Sequence, residues 1–329
     1  MMVPPMRAAT SIANADLPPA VGPVMTATMG LSIVTPLIIT LVAEGALSSD
    51  DAQVASDVLR AIGAEPGAPA WIDAGDALDL PAAGAIAAEA RAALEAALPH
   101  IDIIVQPADA QRRKRLLVAD MDSTMITVEC IDELAEYAGL KAQVAAVTEA
   151  AMRGELDFEK ALDARVVLLK GMDAAVLDRC RTERVRLMPG ALALVRTMAA
   201  NGAHTLLVSG GFTAFTAPVA TEIGFAEQHA NTLMIEAGRL TGEVARPIVD
   251  AAVKRAELLA AAAARQIPMA ATMAVGDGAN DIPMLQAASL GIAYHAKPKA
   301  SAAADAAVRN GDLTVLLRAQ GYARADWVR

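Results

Sequence analysis

Two aspartates, Asp120 and Asp122, close the run "LLVADMD", and chemistry in this chain can begin with them. Apolar residues lead straight into two acids one residue apart. Burying such a pair costs free energy unless a cation sits on it or one acid keeps its proton. In extended chain, side chains at i and i+2 leave the same face, so both acids can serve one site. One can attack as a carboxylate while the other protonates a departing oxygen and later activates water.

Three further groups belong with them. "HTLLVSGG" ends in Ser209 and Gly210, and "TMAVGDGAND" ends in Asp277, Asn280 and Asp281. A helix start, "DAAVKRAELL", offers Lys254. In an open parallel sheet, ligands bind beyond the carboxyl ends of the strands, so these groups can share one rim. Four acids there repel unless a divalent cation joins them. All-oxygen ligands suit a hard ion such as Mg²⁺, and the lack of His or Cys argues against zinc. A carboxylate approaching a phosphate monoester meets like charge, about 4 kcal/mol per pair at ~4 Å and an effective dielectric of ~20. The cation and Lys254 can cancel that repulsion. Singly each motif is weak: strand-end acids cap helices, Ser-Gly is turn punctuation, and a helix lysine is usually solvated. Their order along the chain is the signal.

The elements that must position these residues follow from hydrophobic pattern. "RLLVAD", "HTLLVSGG", "TMAVGDG" and "LGIAYHA" are continuous apolar runs separated by helices, the mark of a parallel sheet covered on both faces. Residues 129–200 carry helical patterns only, which predicts an all-helical insert after the first of these strands, placed as a lid. "ANTLMIEAGRLTGEVAR" reads as a hairpin turning at Ala237-Gly238. Upstream, "PLIITLVAEG" reads as a strand and "SDDAQVASDVLRAIGA" as a helix capped by Ser49 or Asp50. Two short strands around Gly75, a helix over "AIAAEARAALEAALP" and the strand "IDIIVQP" complete a βαββαβ, ferredoxin-like order. No catalytic cluster falls in this half, which reads as structural or regulatory. "PADAQRRKR" between the halves reads as a solvated basic linker.

Composition sets bounds. The 329 residues suffice for two domains, and a formal charge of −10 argues against general nucleic-acid binding. The apolar stretch at 31–43 is too short to span a bilayer and contains Pro36. Cys130 and Cys180 form no framework and read as thiols of a reducing cytoplasm. The four histidines are scattered singly. Residues 1–29 lack a signal-peptide core and read as a disordered extension, or as an over-long start ahead of Met25 or Met29.

With those residues in place, 116 to about 320 resembles the haloacid dehalogenase superfamily of phosphotransferases. "DMDST", "SGG", Lys254 and "GDGAND" stand as its four motifs. Within it, "DMDSTMITVECIDELAEYAG", "AMRGELDFEKALDARVVLLKG" and "LVSGGFTAFT" resemble the phosphoserine phosphatases, whose longer members carry an ACT-like N-terminal domain. The resemblance implies a Rossmann-like α/β fold at 109–329 with a cap at about 129–200, behind an ACT-like α+β domain at 30–108. It implies hydrolysis of O-phospho-L-serine, the last step of serine synthesis, through an aspartyl-phosphate, in the cytoplasm, with a homodimer left open. Asp120 would be the nucleophile and Asp122 the acid–base. Mg²⁺ would be held by Asp120, the Asp122 carbonyl and Asp277, with Asp281 assisting through water. Ser209, Gly210 and Lys254 would hold the phosphoryl oxygens, and Asn280 would orient the phosphate or the metal loop. Glu129, Met152, Phe158 and Arg165 would contact the amino-acid part. Phosphotransfer to an alcohol such as homoserine, and a catalytically idle amino-acid-binding regulator, are the competing readings. The upstream half lacks a glycine-rich ligand loop, which argues against serine sensing there.

Overall fold

The computed structural model describes residues 35–152 and 155–329, and the side chains of 151 and 152 are outside that description. The extension expected at 1–29 and the side chain of Met152 therefore lie outside the described residues.

The first sheet grows from a chain that alternates strand and helix. Strand β1 (Leu37–Val42) leads to helix α1 (Ser49–Ala61), then β2 (Glu65–Pro66), β3 (Ala70–Asp73), β4 (Ala77–Ala83), α2 (Ala87–Ala97) and β5 (Asp102–Pro107). The order is the expected βαββαβ plus the two-residue β2. β1 sits centrally, antiparallel to β4 and β5, while β2 and β3 both pair with β4. Helix α1 is capped by Ser48, one residue before the expected position. Its Oγ accepts from Asp51 N, and the Asp51 carboxylate accepts from Ser48 N. That reciprocal pair needs an acid three residues on, which Asp51 supplies.

Leu37, Ile39 and Leu41 of β1 pack with Leu59 of α1 and Leu94 of α2. The opposite face is buried too: Val42, Ala77 and Ile104 join the core of the second half, beside Leu313 and Leu316. A sheet covered on both faces explains why β1 reads as a nearly unbroken apolar run.

The second half is the parallel sheet. Its strands are β6 (Leu116–Ala119), β7 (His204–Phe212), β8 (Glu227–Asn231), β11 (Thr272–Gly276), β12 (Leu290–Tyr294) and β13 (Ala306–Val308), in the order β13-β12-β11-β6-β7-β8. β9 (Leu233–Glu236) and β10 (Arg239–Val244) form the expected hairpin, with Ala237 and Gly238 both at positive φ (47° and 76°) as a two-residue turn requires. Between β6 and β7 lie α3 (Cys130–Tyr137), α4 (Lys141–Met152), α5 (Phe158–Val167), α6 (Ala175–Arg184) and α7 (Ala191–Ala200). The insert is all-helical, but α7 packs on β7 and the following α8 (Thr213–Ile223) instead of joining it. Its buried residues Ala191, Leu194, Val195 and Met198 need a sheet to cover. The remaining helices are α9 (Ala251–Ala264), α10 (Ile282–Ala287), α11 (Pro298–Ala303) and α12 (Val315–Ala319). Among the described residues no helix is long and apolar enough to cross a membrane.

The basic segment between the sheets is only partly solvated: Arg113 and Arg115 are exposed, while Arg112 and Lys114 are not. The Arg112 guanidinium grips Asp79 and donates to the Ala319 carbonyl, the Arg113 guanidinium lies 4.3 Å from the centre of the Tyr322 ring, and Lys114 is 3% exposed. These cations find carboxylate, carbonyl and ring partners on both halves, so the segment straps them together. Asp102 does the same from β5. Its carboxylate accepts from the backbone N–H groups of Arg309, Asn310 and Gly311 (2.7, 3.1 and 2.6 Å).

Candidate active site

The sheet order brings three strand ends together. β6 is central: Ala119 pairs with Val275 of β11 on one side and Leu207 of β7 on the other. Asp120 leaves the end of β6, Asp277 the end of β11, and Ser209 lies near the end of β7. The chain runs from β6 to β7 on one side and reaches β11 on the other, so the crevice sits at a topological switch point.

Asp120 is 4% exposed, and its Oδ1 accepts from Met121 N at 2.8 Å and from Lys254 Nζ at 2.6 Å. Lys254, on the first turn of α9, is 1% exposed and also donates to Asp281 Oδ1 at 2.8 Å. Asp281 is fully buried, and its second oxygen accepts from Gly278 N. Lys254 was expected on phosphoryl oxygens and Asp281 behind a water. The two form a direct buried bridge beneath Asp120, and neither lines the cavity. Burial and the neighbouring Asp281 push the Asp120 carboxyl well above the usual range, and Lys254 opposes them. The two flanking carboxylates hold the Lys254 ammonium above its ordinary value against the effect of burial.

One oxygen each from Asp120, Asp277 and Asp281 lie within 4.8 Å of one another. Three carboxylates against one ammonium leave two negative charges uncompensated. An all-oxygen set of that charge fits a hard divalent cation. The loop carrying two of these acids depends on Gly276, where a Cβ would stand 2.4 Å from the Asp281 carboxyl carbon. Any other residue would displace Asp281 from Lys254.

Asp122 is half-buried, and its Oδ1 accepts weakly from Cys130 N at 3.4 Å. Burial, reinforced by the Glu129 charge, pushes its carboxyl up to about 7. Both carboxyls are raised, and Asp120 has in addition the Lys254 ammonium at 2.6 Å to oppose its burial. The acids are thus split by environment. The turn after Asp122 holds Ser123 at φ 54°, and its hydroxyl donates to Glu129 at 2.7 Å. A serine in the left-handed region is strained backbone set beside the acids.

The cavity over these groups holds about 210 Å³, and Glu129, Phe158, Arg165, Ser209, Gly210 and Asn280 all line it. Glu129 and Arg165 come from the helical insert, one at the start of α3 and one in the last turn of α5. Arg165 Nε donates to Ala161 O, which steadies the guanidinium. Ser209 Oγ accepts from Gly211 N at 2.9 Å. At Gly211 a Cβ would stand 3.0 Å from both Asp122 Oδ2 and Ser209 Oγ, so the second glycine of "SGG" keeps the acid and the hydroxyl close.

Sequence reasoning missed several lining residues: Gly211, Phe212, Ile131, Leu162 and Lys297. Lys297 was within reach, because it follows the apolar run "LGIAYHA" and is another polar group beyond a parallel strand. Its N–H donates to the Asp277 carbonyl at 3.2 Å, and its charge opposes the burial that pushes Asp277 up to about 6.

Adjacent strand ends of a parallel sheet thus carry acids bound to a buried lysine, under a helical insert. The family model of haloacid dehalogenase-like hydrolases matches residues 117–286, and the chain belongs to that family. It is 49% identical over 235 residues to a phosphoserine phosphatase of Streptomyces coelicolor, covering 71% of this chain and 57% of that protein. It is 46% identical over 232 residues to phosphoserine phosphatase SerB2 of Mycobacterium tuberculosis, covering 70% and 56%. The match thus spans little more than half of each relative's length. A solved structure of a probable phosphoserine phosphatase from Vibrio cholerae superposes with a TM-score of 0.72 at 35% identity, covering 89% of this chain and 88% of that one.

Proposed function

We propose that this chain is a divalent-metal-dependent phosphatase of the cytoplasm, acting as monomer or homodimer, that hydrolyses O-phospho-L-serine to L-serine and phosphate. The observation that carries the reading is the split pair: Asp120 bound to Lys254, and Asp122 pushed up to about 7 in the same cavity. Names of similar proteins support the substrate, and the cavity chemistry agrees with them. Arg165 can take the α-carboxylate in a two-pronged hydrogen bond, and Glu129 can take the α-ammonium.

Asp120 attacks phosphorus, the bond from phosphorus to the seryl oxygen breaks, and that oxygen takes the Asp122 proton to leave as L-serine. A water then attacks the aspartyl-phosphate and gives its proton to Asp122, which releases phosphate and restores both acids. Ser209 and the Gly210 backbone, which line the cavity, would receive phosphoryl oxygens, and Asn280 would orient them from the acidic loop. Lys254 acts on Asp120, orienting it and opposing the burial that raises its carboxyl. Asp120, Asp277 and Asp281 would hold the cation, taken here as Mg²⁺, which when bound would supply positive charge to offset the repulsion of carboxylate and phosphate. Phe158 and Leu162 close the cavity with apolar surface that excludes water. We further infer a division into residues 30–108, ACT-like, and 109–329, with the cap narrowed to about 130–184. A panel of phosphorylated metabolites assayed with Mg²⁺ and again with EDTA tests the reading. Turnover of phosphoserine at or below the rate of the other esters would remove the substrate assignment. Phosphorylated acceptor in place of free phosphate would favour transfer over hydrolysis.

A further inference from the structure

The catalytic cavity is short of positive charge for the anion it faces. Asp120, Asp122, Glu129 and Asp277 all line it, and among the described residues only Arg165 and Lys297 oppose them on its walls. Lys254 is committed to Asp120 and Asp281 beneath the floor, and Arg165 is half-buried on the helical insert. The whole chain carries a formal charge of −10. A phosphate dianion approaching such a cavity meets like charge at long range, before any contact can form.

Lys297 is the one exposed cation on those walls. Its backbone is pinned. The N–H donates to the Asp277 carbonyl at 3.2 Å, and its own carbonyl accepts from Ala300 N and Ser301 N at 3.0 and 3.1 Å. The side chain has no such tether: among the described residues its ammonium has neither an ion-pair nor a hydrogen-bond partner. Its charge nevertheless reaches Asp277. A free surface lysine is ordinary, but this one is rooted beside the acidic loop at the opening of an anion's cavity. Arg165 comes from the insert and Lys297 from the sheet side, so a ligand with two anionic ends can engage both. We propose that Lys297 is a further binding residue of this site, whose ammonium draws in the phosphate end of a phosphate monoester and holds the inorganic phosphate released from it. This rests on the reading that the cavity takes a phosphate ester, and not on that ester being phosphoserine.

Titration calorimetry of inorganic phosphate into the full chain with Mg²⁺ tests it without turnover. In water-like surroundings an ammonium ~6 Å from a dianion favours it roughly tenfold, and salt screens so exposed a charge. Lys297→Met therefore weakens phosphate about fivefold at ~20 mM ionic strength and less than about twofold at ~0.5 M. Lys297→Arg binds phosphate as the wild type does. In kinetics at low salt, Lys297→Met raises KM for p-nitrophenyl phosphate by a similar factor while kcat falls less than about twofold, the split that ground-state binding gives. Unchanged phosphate affinity in Lys297→Met at low salt overturns the proposal. A loss that salt leaves unaltered also overturns it, because a shifted Asp277 loop, and not a charge, would be its cause. Hydrolysis of p-nitrophenyl phosphate without hydrolysis of phosphoserine removes the substrate reading alone, since the phosphate titrations still decide the role of Lys297.

Discussion

Replacing Lys254 by Met gives the most searching test of how the rim is held. The ammonium lies 2.6 Å from Asp120 and 2.8 Å from Asp281, with all three groups buried. At such distances and an effective dielectric of ~20, each attraction is worth roughly 6 kcal/mol before desolvation is counted. Desolvation opposes most of this, and removing one partner of a buried pair typically costs ~3–5 kcal/mol. Methionine keeps much of the side-chain volume, so little of the loss comes from packing. The pH dependence separates charge from packing. Unfolded aspartate ionises near ~3.9, and the Asp120 carboxyl is already raised in the native protein. Without Lys254 the two carboxylates must stay charged or take up a proton on folding. Uptake costs about 1.4 kcal/mol per pH unit above ~3.9. Destabilisation is therefore about 3–5 kcal/mol at pH 8 and shrinks to about 1.5 kcal/mol at pH 5. Urea unfolding in EDTA, followed by circular dichroism at both pH values, measures it. Equal destabilisation at the two pH values, or none at either, refutes the charge argument.

Four further outcomes follow from the same geometry. Asp120→Asn lowers kcat for phosphoserine by about 10⁴-fold or more while phosphoserine still binds, as single-turnover and equilibrium titration should show. Arg165→Ala costs about 3 kcal/mol, roughly a hundredfold in KM for phosphoserine, and leaves KM for p-nitrophenyl phosphate nearly unchanged, since that ester has no carboxylate to grip. Asp122 is protonated below about 7, so the phosphoryl-transfer step with phosphoserine slows as pH rises through that value. With p-nitrophenyl phosphate, whose phenolate needs no proton to leave, the rapid-quench profile stays flat. EDTA abolishes turnover, and added Mg²⁺ restores it. Undiminished activity after exhaustive chelation would remove the cation from the acidic cluster.

Much of the fold was legible because burial leaves a mark in the chain. The strands β6, β7, β11 and β12 are continuous apolar runs, and a parallel sheet covered on both sides demands that. β8, "EQHAN", carries no such mark: it is an edge strand with polar side chains, visible only through its pairing with β7. β13, "AAV", was hidden by its brevity and alanine content. At the site, Asp120, Asp122, Ser209 and Asp277 could be read because strand ends announce themselves. Lys254 could be read as present but not as buried, because its partners lie 134 and 27 residues away in sequence. The basic segment at 112–115 misled in part for a related reason: Arg112 and Arg113 look like free cations until Asp79, the Ala319 carbonyl and Tyr322 meet them, while Arg115 is exposed as a solvated linker would have it.

The long-range clasp between the two halves bears on how the protein is made. Arg318 meets Asp73, and Arg324 meets Glu44 and Asp76, so late segments fasten the first sheet from outside. Val42 and Ile104, whose apolar faces need Leu313 and Leu316, stay wet during synthesis until the ribosome has delivered those residues. Pairings so distant in sequence close slowly and leave sticky surface open to other chains in the meantime. Nascent protein should thus be most prone to aggregate before residues 313–324 emerge, and removing those residues should cost soluble yield before it costs any catalytic group.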